Sequence, residues 1–487
     1  FSNTFHFDDY SYILHNAEFE NYDDIIKDIA RGCTNKEAFK KLLYPCFSIG
    51  HTLDIFSNRA IVLATLHLNH SLDGFNVFGF HVFNLLVHLL TCFLIFLFVK
   101  ETLFINKHFK IINKYIVKLN IPLIAALLFA VHPINTQAVT YITGRTTTLA
   151  VCFYMASFLF FIKGIRQNLP YKILFFILSM VFLVSGFGSK MVVLTAPVMF
   201  VIYYSFFFPL KATFLERFFK SRFARIVVQA IVILSPFGLI IVSKFLNFEA
   251  EDIVDPDSRL FPILPERIIS KLLFLFALKE DSISSSIYLL TEFKIIIFYY
   301  IKMVFFPFNQ NIDPDFPIAH GVTDPGVVLS LCAILLCLST GIYYFKKDRL
   351  ISFGIFWFFI TLSLTSTVLP LTDLLVEHRL YLSSVGIVTI IPVFLNTLIS
   401  SSKTNSLKQS TYFVLFVFLP IILYSSLTVK RNFVWKDEKS LWADAAKKSP
   451  QLSRPLNNLA EAYDKEGLAY GDKKNYAKAI EALNKAI

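Results

Sequence analysis

Two adjacent carboxylates stand near the start of the chain, among aromatic and apolar residues. Asp8 and Asp9 lie in the stretch Phe-His-Phe-Asp-Asp-Tyr-Ser-Tyr-Ile, residues 5–13. A carboxylate held in a partly desolvated cleft stays basic enough to accept a proton from a hydroxyl group. The alternative interpretation is an acidic loop at a helix start, where aspartates are ordinary capping residues. If the pair is catalytic, Asp8 is the first choice for the general base and Asp9 the second, since the residues alone do not decide between them.

A second group of ionisable residues is the densest in the chain. Glu377, His378 and Arg379 follow Asp373 and precede Tyr381. Arginine presents a rigid fork of N–H donors that suits phosphate, and a histidine can donate to the same group. The alternative is an interfacial anchor. Opposite charges beside a histidine favour a site, so we predict that His378 and Arg379 bind phosphate and that Glu377 and Tyr381 are further site residues.

Several single basic residues occur where apolar runs begin or turn. Arg145 lies about two turns into an apolar run, where an arginine is unfavourable unless it meets an anion or a carboxylate. It is predicted to bind phosphate or to pair with Asp8 or Asp9. Lys190, in a tight turn, is predicted to join the phosphate site. The other candidate site residues are Arg59, His81 and His132, although one histidine precedes a helix-ending proline and the other could serve helix packing.

The composition indicates what kind of protein must position these residues. Of the 487 residues 55% are hydrophobic and only 17% are charged, which is typical of a polytopic membrane protein. The net charge of +11 comes from Lys and Arg in short loops between apolar runs, so it indicates membrane orientation and not a nucleic-acid partner. The six cysteines show no metal-ligand spacing, and no metal site is predicted.

The apolar runs define the predicted organisation, an all-α membrane bundle followed by a soluble helical region. Residues 1–76 are predicted to be an outer-face loop region that contains the acid, and residues 77–428 a multi-pass domain. Within that domain, residues 247–325 are predicted to be helices at the outer interface, with the run near 295–306 interrupted by Lys302. The predicted spans lie near 77–99, 119–131, 138–162, 171–187, 190–208, 226–246, 326–345, 351–370, 381–400 and 411–428.

Alternating the crossings places the basic loops on one face, which the positive-inside rule makes cytoplasmic. The candidate site residues then all fall on the other face. Residues 429–487 are paired amphipathic helices that fit the start of a tetratricopeptide array. Since one repeat cannot bury its own apolar face, we expect further repeats after Ile487, and we expect a first span before Phe1.

Taken in order, the motifs resemble one known family. They are FDDYSYI, FGFHVFNLLVH, HPINTQAVTYITGR, GSKM, FFPFNQNIDPDFP, EHRLYLSS and RNFVWKDEKSLWADAAKKSP. Together they resemble the transmembrane and tetratricopeptide-repeat O-mannosyltransferases, in the GT-C class of glycosyltransferases. The resemblance implies a sugar carried on a lipid phosphate, an acceptor on the outer or lumenal face, and a catalytic acid in the first outer loop, which by position is Asp8 or Asp9.

We therefore predict a glycosyltransferase that moves a mannose-like sugar from a polyprenyl- or dolichyl-phosphate donor to a protein hydroxyl. Its partners would be that donor, membrane lipid, and an acceptor polypeptide held by the repeats; a divalent metal could assist. The Phe-, Ile-, Lys- and Asn-rich usage favours a bacterial cytoplasmic membrane over the endoplasmic reticulum. The alternative is a non-catalytic polytopic scaffold that assembles partners through its repeats. A transporter is a weaker third, because ionisable residues at mid-membrane are not evident.

Overall fold

The computed structural model describes most of the apolar part of the chain. The described residues are 59–105, 120–208, 283–366, 373–401 and 414–470, together with the single positions 3, 4, 9, 371, 411, 480, 481 and 484. Asp8 and the predicted span at 226–246 lie outside them. Within the described residues every regular element is helical, so the predicted all-α class is confirmed.

The helices of this part of the chain are numbered α1 to α15 in order. They are Ala60–Asp73, Val77–Ile105, Ile121–Val131, Thr136–Thr140, Arg145–Arg166, Tyr171–Phe187, Ala196–Phe207, Ser285–Ile295, Lys302–Phe305, Pro325–Lys347, Arg349–Ser363, Leu380–Ser401, Leu419–Val434, Glu438–Lys448 and Ser453–Tyr470. Short 3₁₀ turns precede α4, α7 and α12, and π-helical turns precede α9 and α13.

Several of these helices are long and apolar enough to cross a bilayer. Among the described residues there are five: α2, α5, α10, the segment Glu377–Asn396 and the segment Val414–Val434. The bent pair Ile121–Val131 and Pro133–Thr140 makes six if it is one span. The apolar helices α6, α11 and the segment Met191–Phe207 are shorter. The protein is therefore a multi-pass membrane protein.

Aromatic side chains form the centre of the bundle, where α2, α5, α7 and α11 meet. Phe158 packs with its ring centroid 5.4 Å from Phe98 and 5.3 Å from Tyr203. Phe353 lies edge-on to Tyr203 at 5.4 Å, and Trp357 lies 5.7 Å from Phe98. Such offset and edge-to-face pairs add to the energy of burial. This use of large rings explains part of the high phenylalanine content.

The first turn of α5 differs from the prediction. The predicted span from 138 to 162 is broken at residues 141–144, so Arg145 is the first residue of α5 and does not lie two turns inside a helix. The amide of Asn84 on α2 donates to the carbonyls of Tyr141 and Ile142 at 3.2 Å each. A Cβ atom at Gly144 would lie only 2.7 Å from the carbonyl oxygen of Ala138. Glycine and Asn84 therefore hold the break.

The segment that ends at Phe305 is helical, and it is not among the described helices that are long and apolar enough to cross a bilayer. Helix α8 continues through a π-helical turn, Ile296–Ile301, into α9, so Lys302 does not interrupt it. Lys302 is exposed while Met303 is buried, which shows that the lysine lies on the outer face of a helix whose other face is packed. A π-helical turn changes which side chains face the bundle, and such turns are frequent near functional sites.

Two facing glycines bring α11 and α12 into close contact. A Cβ atom at Gly354 would lie 2.7 Å from the carbonyl oxygen of Gly386, and one at Gly386 would overlap the carbonyl oxygen of Gly354. Small residues at a crossing allow membrane helices to pack by their backbones. The crossing also directs the start of α12, where the Glu377–Arg379 turn lies.

We expect Gly386→Ala to lower the free energy of unfolding by about 1–3 kcal/mol, because the added methyl group forces backbone displacement in a packed core. Gly79→Ala is the matched control, since the nearest atom to a Cβ there is at an ordinary 3.8 Å. Thermal unfolding of the two variants in detergent measures the effect. Equal melting temperatures would show that the crossing tolerates a side chain.

Candidate functional site

Four basic side chains from three separate segments converge at one end of the bundle. Arg59 precedes α1, Lys190 lies in the turn after α6, and His378 and Arg379 lie in the 3₁₀ turn before α12. Lys190 and His378 each lie close enough to Arg59 and Arg379 for their charges to interact. Basic side chains grouped in this way raise the local positive potential, which attracts anions. We call these four residues the cationic cluster.

Backbone and side-chain acceptors fix the guanidinium of Arg379. Its Nη1 atom donates to Glu292 Oε1 at 3.1 Å and to the carbonyl of Leu374 at 3.0 Å, and its Nη2 atom donates to the carbonyl of Asp373 at 2.5 Å. The hydroxyls of Tyr288 and Tyr300 also lie beside this guanidinium. An arginine held in one orientation can present its remaining N–H groups to carboxylate or phosphate oxygens.

The partner of Arg379 was missed by the sequence reasoning. Glu292 on α8 is fully buried, and burial raises the pKa of its carboxyl while the charge of Arg379 opposes the shift. Within the described part of the chain its Oε2 atom accepts no hydrogen bond of ordinary geometry, although the hydroxyls of Tyr288 and Ser366 lie beside it. The sequence feature that could have indicated this partner is a glutamate inside an apolar run, where a carboxylate needs a cation or hydrogen bonds.

Lys190 contributes a charge that responds to pH near neutrality. Its Nζ atom donates to Thr147 Oγ1 at 2.8 Å. The residue as a whole is only half-buried, so the burial that matters is that of its ammonium end. This burial, together with the positive charges of Arg59 and Arg379, lowers the pKa of Lys190 to about 7. Lys190 is thus protonated below that pH and increasingly neutral above it.

This pKa leads to a prediction about anion affinity. A lowered pKa means that the ammonium charge is fully present below about pH 7 and is lost as the pH rises through that value. Affinity for a polyprenyl phosphodiester, whose own charge does not change in this range, is expected to fall by up to about tenfold per pH unit above the pKa.

Binding of the phosphodiester to wild-type protein and to Lys190→Arg, measured between about pH 6 and 9, tests this expectation, because arginine stays charged throughout. A flat profile for Lys190→Arg and a falling one for wild type are the expected results. Identical profiles would rule out the titration of Lys190 as the cause.

Glu377 organises the loops around the cationic cluster. It is 1% exposed, and its Oε1 atom accepts hydrogen bonds from the Tyr299 hydroxyl at 3.0 Å and from the Asn311 backbone N–H at 2.9 Å. Its Oε2 atom accepts from Gln310 Nε2 at 3.0 Å, and the same amide nitrogen donates to the carbonyl of Pro133. The carboxylate therefore ties together three motifs that are far apart in the sequence.

Asp9 lies on the same side of the bundle and is also fully buried. Its Oδ1 atom accepts a hydrogen bond from the backbone N–H of Thr143 at 2.8 Å, at the break before α5. A small crevice lies between Thr143 and Arg59, which is the one member of the cationic cluster that lines it. The residues that line it are Arg59, Val62, Leu63, Leu66, Thr143 and Thr146.

Arg145 is held by neutral acceptors. Its Nε atom donates to Asn84 Oδ1 at 2.7 Å, and its Nη atoms donate to the carbonyls of Thr65 at 3.0 Å and Phe80 at 3.1 Å. Its guanidinium also lies over the ring of Phe83, 4.2 Å from the centroid. Asp9 is close enough to interact with its charge. Of the two predictions for Arg145, its surroundings agree better with pairing with an aspartate than with phosphate binding in the cationic cluster.

The remaining candidates contact the site through the packing around it. His132 Nε2 bonds to the Val304 carbonyl at 2.8 Å, and its Nδ1 atom accepts from the Ile134 N–H. His81 Nε2 bonds to the Asn3 carbonyl at 3.0 Å. The Tyr381 hydroxyl lies 2.7 Å from Nδ1 of His88. The structure therefore places these three as neighbours of the site and does not bring them into the cationic cluster.

A metal ligand set is not found among the described residues, where no three His, Cys, Asp or Glu side chains are grouped to hold an ion. The site brings basic side chains and the buried carboxylate of Asp9 to the same end of the bundle. Such groups have the chemistry to bind an anion and to accept a proton. The chain is thus a polytopic helical membrane protein with a cluster of basic side chains at one end.

Comparison with known proteins agrees with the ordered motifs. No family model and no solved structure matches the chain. It is 22% identical to Protein O-mannosyl-transferase F38B6.6 of Caenorhabditis elegans over 427 residues, 87% of this chain and 53% of that protein. It is 33% identical to Protein O-mannosyl-transferase TMTC1 of Homo sapiens over 112 residues, and 36% identical to Protein O-mannosyl-transferase TMTC3 of Mus musculus over 108 residues.

The last two alignments cover 23% and 22% of this chain, and 11% and 10% of those proteins. The chain therefore spans about half the length of the first relative and about a tenth of the others. The resemblance to the TMTC family of protein O-mannosyl-transferases is confirmed by these matches.

Proposed function

We propose that this protein is a membrane glycosyltransferase that moves a mannose-like sugar from a polyprenyl- or dolichyl-phosphate donor to a hydroxyl group of a polypeptide. The observation that carries the proposal is the convergence of Arg59, Lys190, His378 and Arg379 at one end of the bundle. Transfer from a phosphate-linked sugar places negative charge on the leaving oxygen, and fixed cations stabilise it. The names of the relatives support sugar transfer to protein.

The proposed step breaks the bond between the anomeric carbon and the phosphate oxygen and forms a bond from that carbon to the acceptor oxygen. Arg379 and Lys190 bind the departing phosphate. Asp9, or Asp8 as its neighbour, accepts the hydroxyl proton. Arg59 and Thr143 line the same small crevice, and Thr143 also holds Asp9, so we place the transferred sugar near these residues.

A lipid carrier suits the surface near the site. Helix α2 exposes apolar side chains along one face, among them Leu86 at 59% and Phe93 at 55% of their full exposure. A prenyl chain can lie against such a face while its phosphate reaches the cationic cluster. At the opposite end of the bundle, basic residues occur in the last turns of α5 and α10, which favours that end as cytoplasmic. The site would then face the lumen or the outside.

The C-terminal helices α14 and α15 pack as a pair, which is compatible with the start of a tetratricopeptide array. We propose that such an array holds the acceptor polypeptide near the site. We retain a bacterial cytoplasmic membrane and the endoplasmic reticulum as the two candidate locations. Whether a divalent metal assists the transfer is tested by running the assay with and without it.

The test is transfer of labelled mannose by the purified full chain in lipid nanodiscs. Polyprenyl-phosphate mannose is supplied with an unfolded acceptor protein, with and without Mg²⁺, and a nucleotide-linked mannose is the matched donor control. Label in the protein from the lipid donor alone is the expected result. If neither donor labels the acceptor, the glycosyltransferase proposal fails, and the non-catalytic scaffold becomes the better interpretation.

A further inference from the structure

The C-terminal helix pair is attached to the loop that follows α9. Ser449, which ends α14, is buried and its hydroxyl accepts from Asn311 Nδ2 at 2.8 Å and from the Asp315 N–H at 3.0 Å. The same hydroxyl donates to the carbonyl of Asp313 at 2.8 Å. Lys448 Nζ donates to the carbonyl of Gln310 at 2.6 Å. The same loop contains Gln310 and Asn311, which both donate hydrogen bonds to Glu377.

Arg454, in the first turn of α15, joins this loop to a second one. Its Nε and Nη2 atoms donate to the two carboxylate oxygens of Asp313, each at 2.6 Å. Its Nη1 atom donates to Asp373 Oδ1 at 2.8 Å. A bidentate arginine–carboxylate pair is geometrically specific, and Asp313 is only 11% exposed in its side chain. One guanidinium therefore spans two loops.

Both loops lead directly to the candidate site. The carbonyl of Asp373 accepts from Nη2 of Arg379, so the residue that Arg454 binds by its side chain holds Arg379 by its backbone. On the other loop, the backbone N–H of Asn311 donates to Glu377. Asp373 and Leu374 lie in a bend without helical hydrogen bonds, so side-chain contacts have to fix their position.

We propose that Arg454 is a positioning residue that couples the C-terminal helix pair to the cationic cluster, by holding the Asp373 bend against which Arg379 is oriented. The coupling makes the start of the repeat region part of the site's framework. This inference rests on the proposed function, because it assigns Arg454 a role in donor binding. It also gives the repeat region a route by which a bound polypeptide could alter the affinity for the donor phosphate.

The test compares Arg454→Ala with Lys465→Ala in the full chain. Lys465 lies on the same helix, has the same 47% side-chain exposure, and also pairs with two carboxylates, those of Glu438 and Glu461. Because Arg454 is half-exposed, we expect Arg454→Ala to weaken the binding of polyprenyl phosphate by at most about fivefold. The apparent KM for the lipid donor should rise by a similar factor with little change in kcat, whereas Lys465→Ala should bind and react like wild type.

A second measurement separates positioning from a general loss of stability. In an Arg379→Lys background, Arg454→Ala should have no further effect on polyprenyl phosphate binding, because the oriented fork is already absent. Equal weakening in both backgrounds, or wild-type affinity in Arg454→Ala, would overturn the proposal. Binding of polyprenyl phosphate is measured without transfer, so failure of the coupling is distinguishable from failure of the glycosyltransferase activity itself.

Discussion

Asp9→Asn is expected to lower mannose transfer by about a hundred- to ten-thousandfold, the range over which a positioned general base contributes. The amide is close in shape to the carboxylate, and its oxygen can still accept the hydrogen bond from the Thr143 N–H. The variant should bind polyprenyl phosphate as the wild type does while it no longer takes up the proton. Because it also removes the negative charge near the buried Arg145, a lower melting temperature is expected and is measured beside the rate. Initial rates at saturating donor and acceptor measure the loss.

Asp8→Asn is the matched comparison, since it removes the same charge one residue away. A large loss in Asp9→Asn and a small one in Asp8→Asn would assign the base to Asp9. The reverse pattern would assign it to Asp8. Full transfer by both variants, and by the double variant, would mean that neither aspartate is the base.

Arg379→Ala should cause the other large effect, a loss of about a hundred- to a thousandfold in the transfer rate, because one preorganised donor to the developing anion is removed. The substitution has a second consequence that has to be separated from the first. It leaves the fully buried carboxylate of Glu292 without its cation, which is expected to cost about 3–5 kcal/mol of stability.

The double variant Arg379→Ala/Glu292→Gln resolves these two effects. Replacing Glu292 by a neutral glutamine removes the stranded charge, so we expect the melting temperature to recover toward that of the wild type. Transfer should stay low, because the phosphate ligand is still missing. Glu292→Gln alone should retain most of the activity. If the double variant recovers activity together with stability, Arg379 is a structural residue and does not act on the donor.

The sequence predicted the helical class because that class depends on local patterns. Apolar runs require helices in a bilayer, and a motif such as Glu377-His378-Arg379 carries its chemistry in adjacent residues. Contacts between segments that are far apart in the sequence were harder to predict. The contact of Lys190 with Thr147 is an example, since it depends on how α5 and the turn after α6 pack, and the role of Lys190 in binding phosphate stays a prediction.

Arg145 and Glu292 show where the sequence was insufficient. Arg145 was interpreted as lying inside a helix because the apolar run is continuous, whereas the break depends on Asn84, which is 61 residues earlier in the chain than Arg145. The role of Glu292 follows from its ion pair with Arg379, which is 87 residues later in the chain. Neither partner can be deduced from spacing, since the distance along the chain says nothing about which helices become neighbours.

The hydrogen bond between Asp9 and the backbone of Thr143 determines which substitutions this part of the chain can tolerate. The donor is a main-chain N–H group, and among the described residues the buried Thr143 hydroxyl has no hydrogen-bond partner, so the side chain itself does not hold the acid. A side chain no larger than threonine can therefore occupy position 143 and keep this bond, whereas proline is excluded because it has no N–H group. At position 144 the carbonyl oxygens of Gln137, Ala138 and Tyr141 leave no room for a Cβ atom. Any residue other than glycine there would have to shift the backbone next to the N–H group that holds the acid.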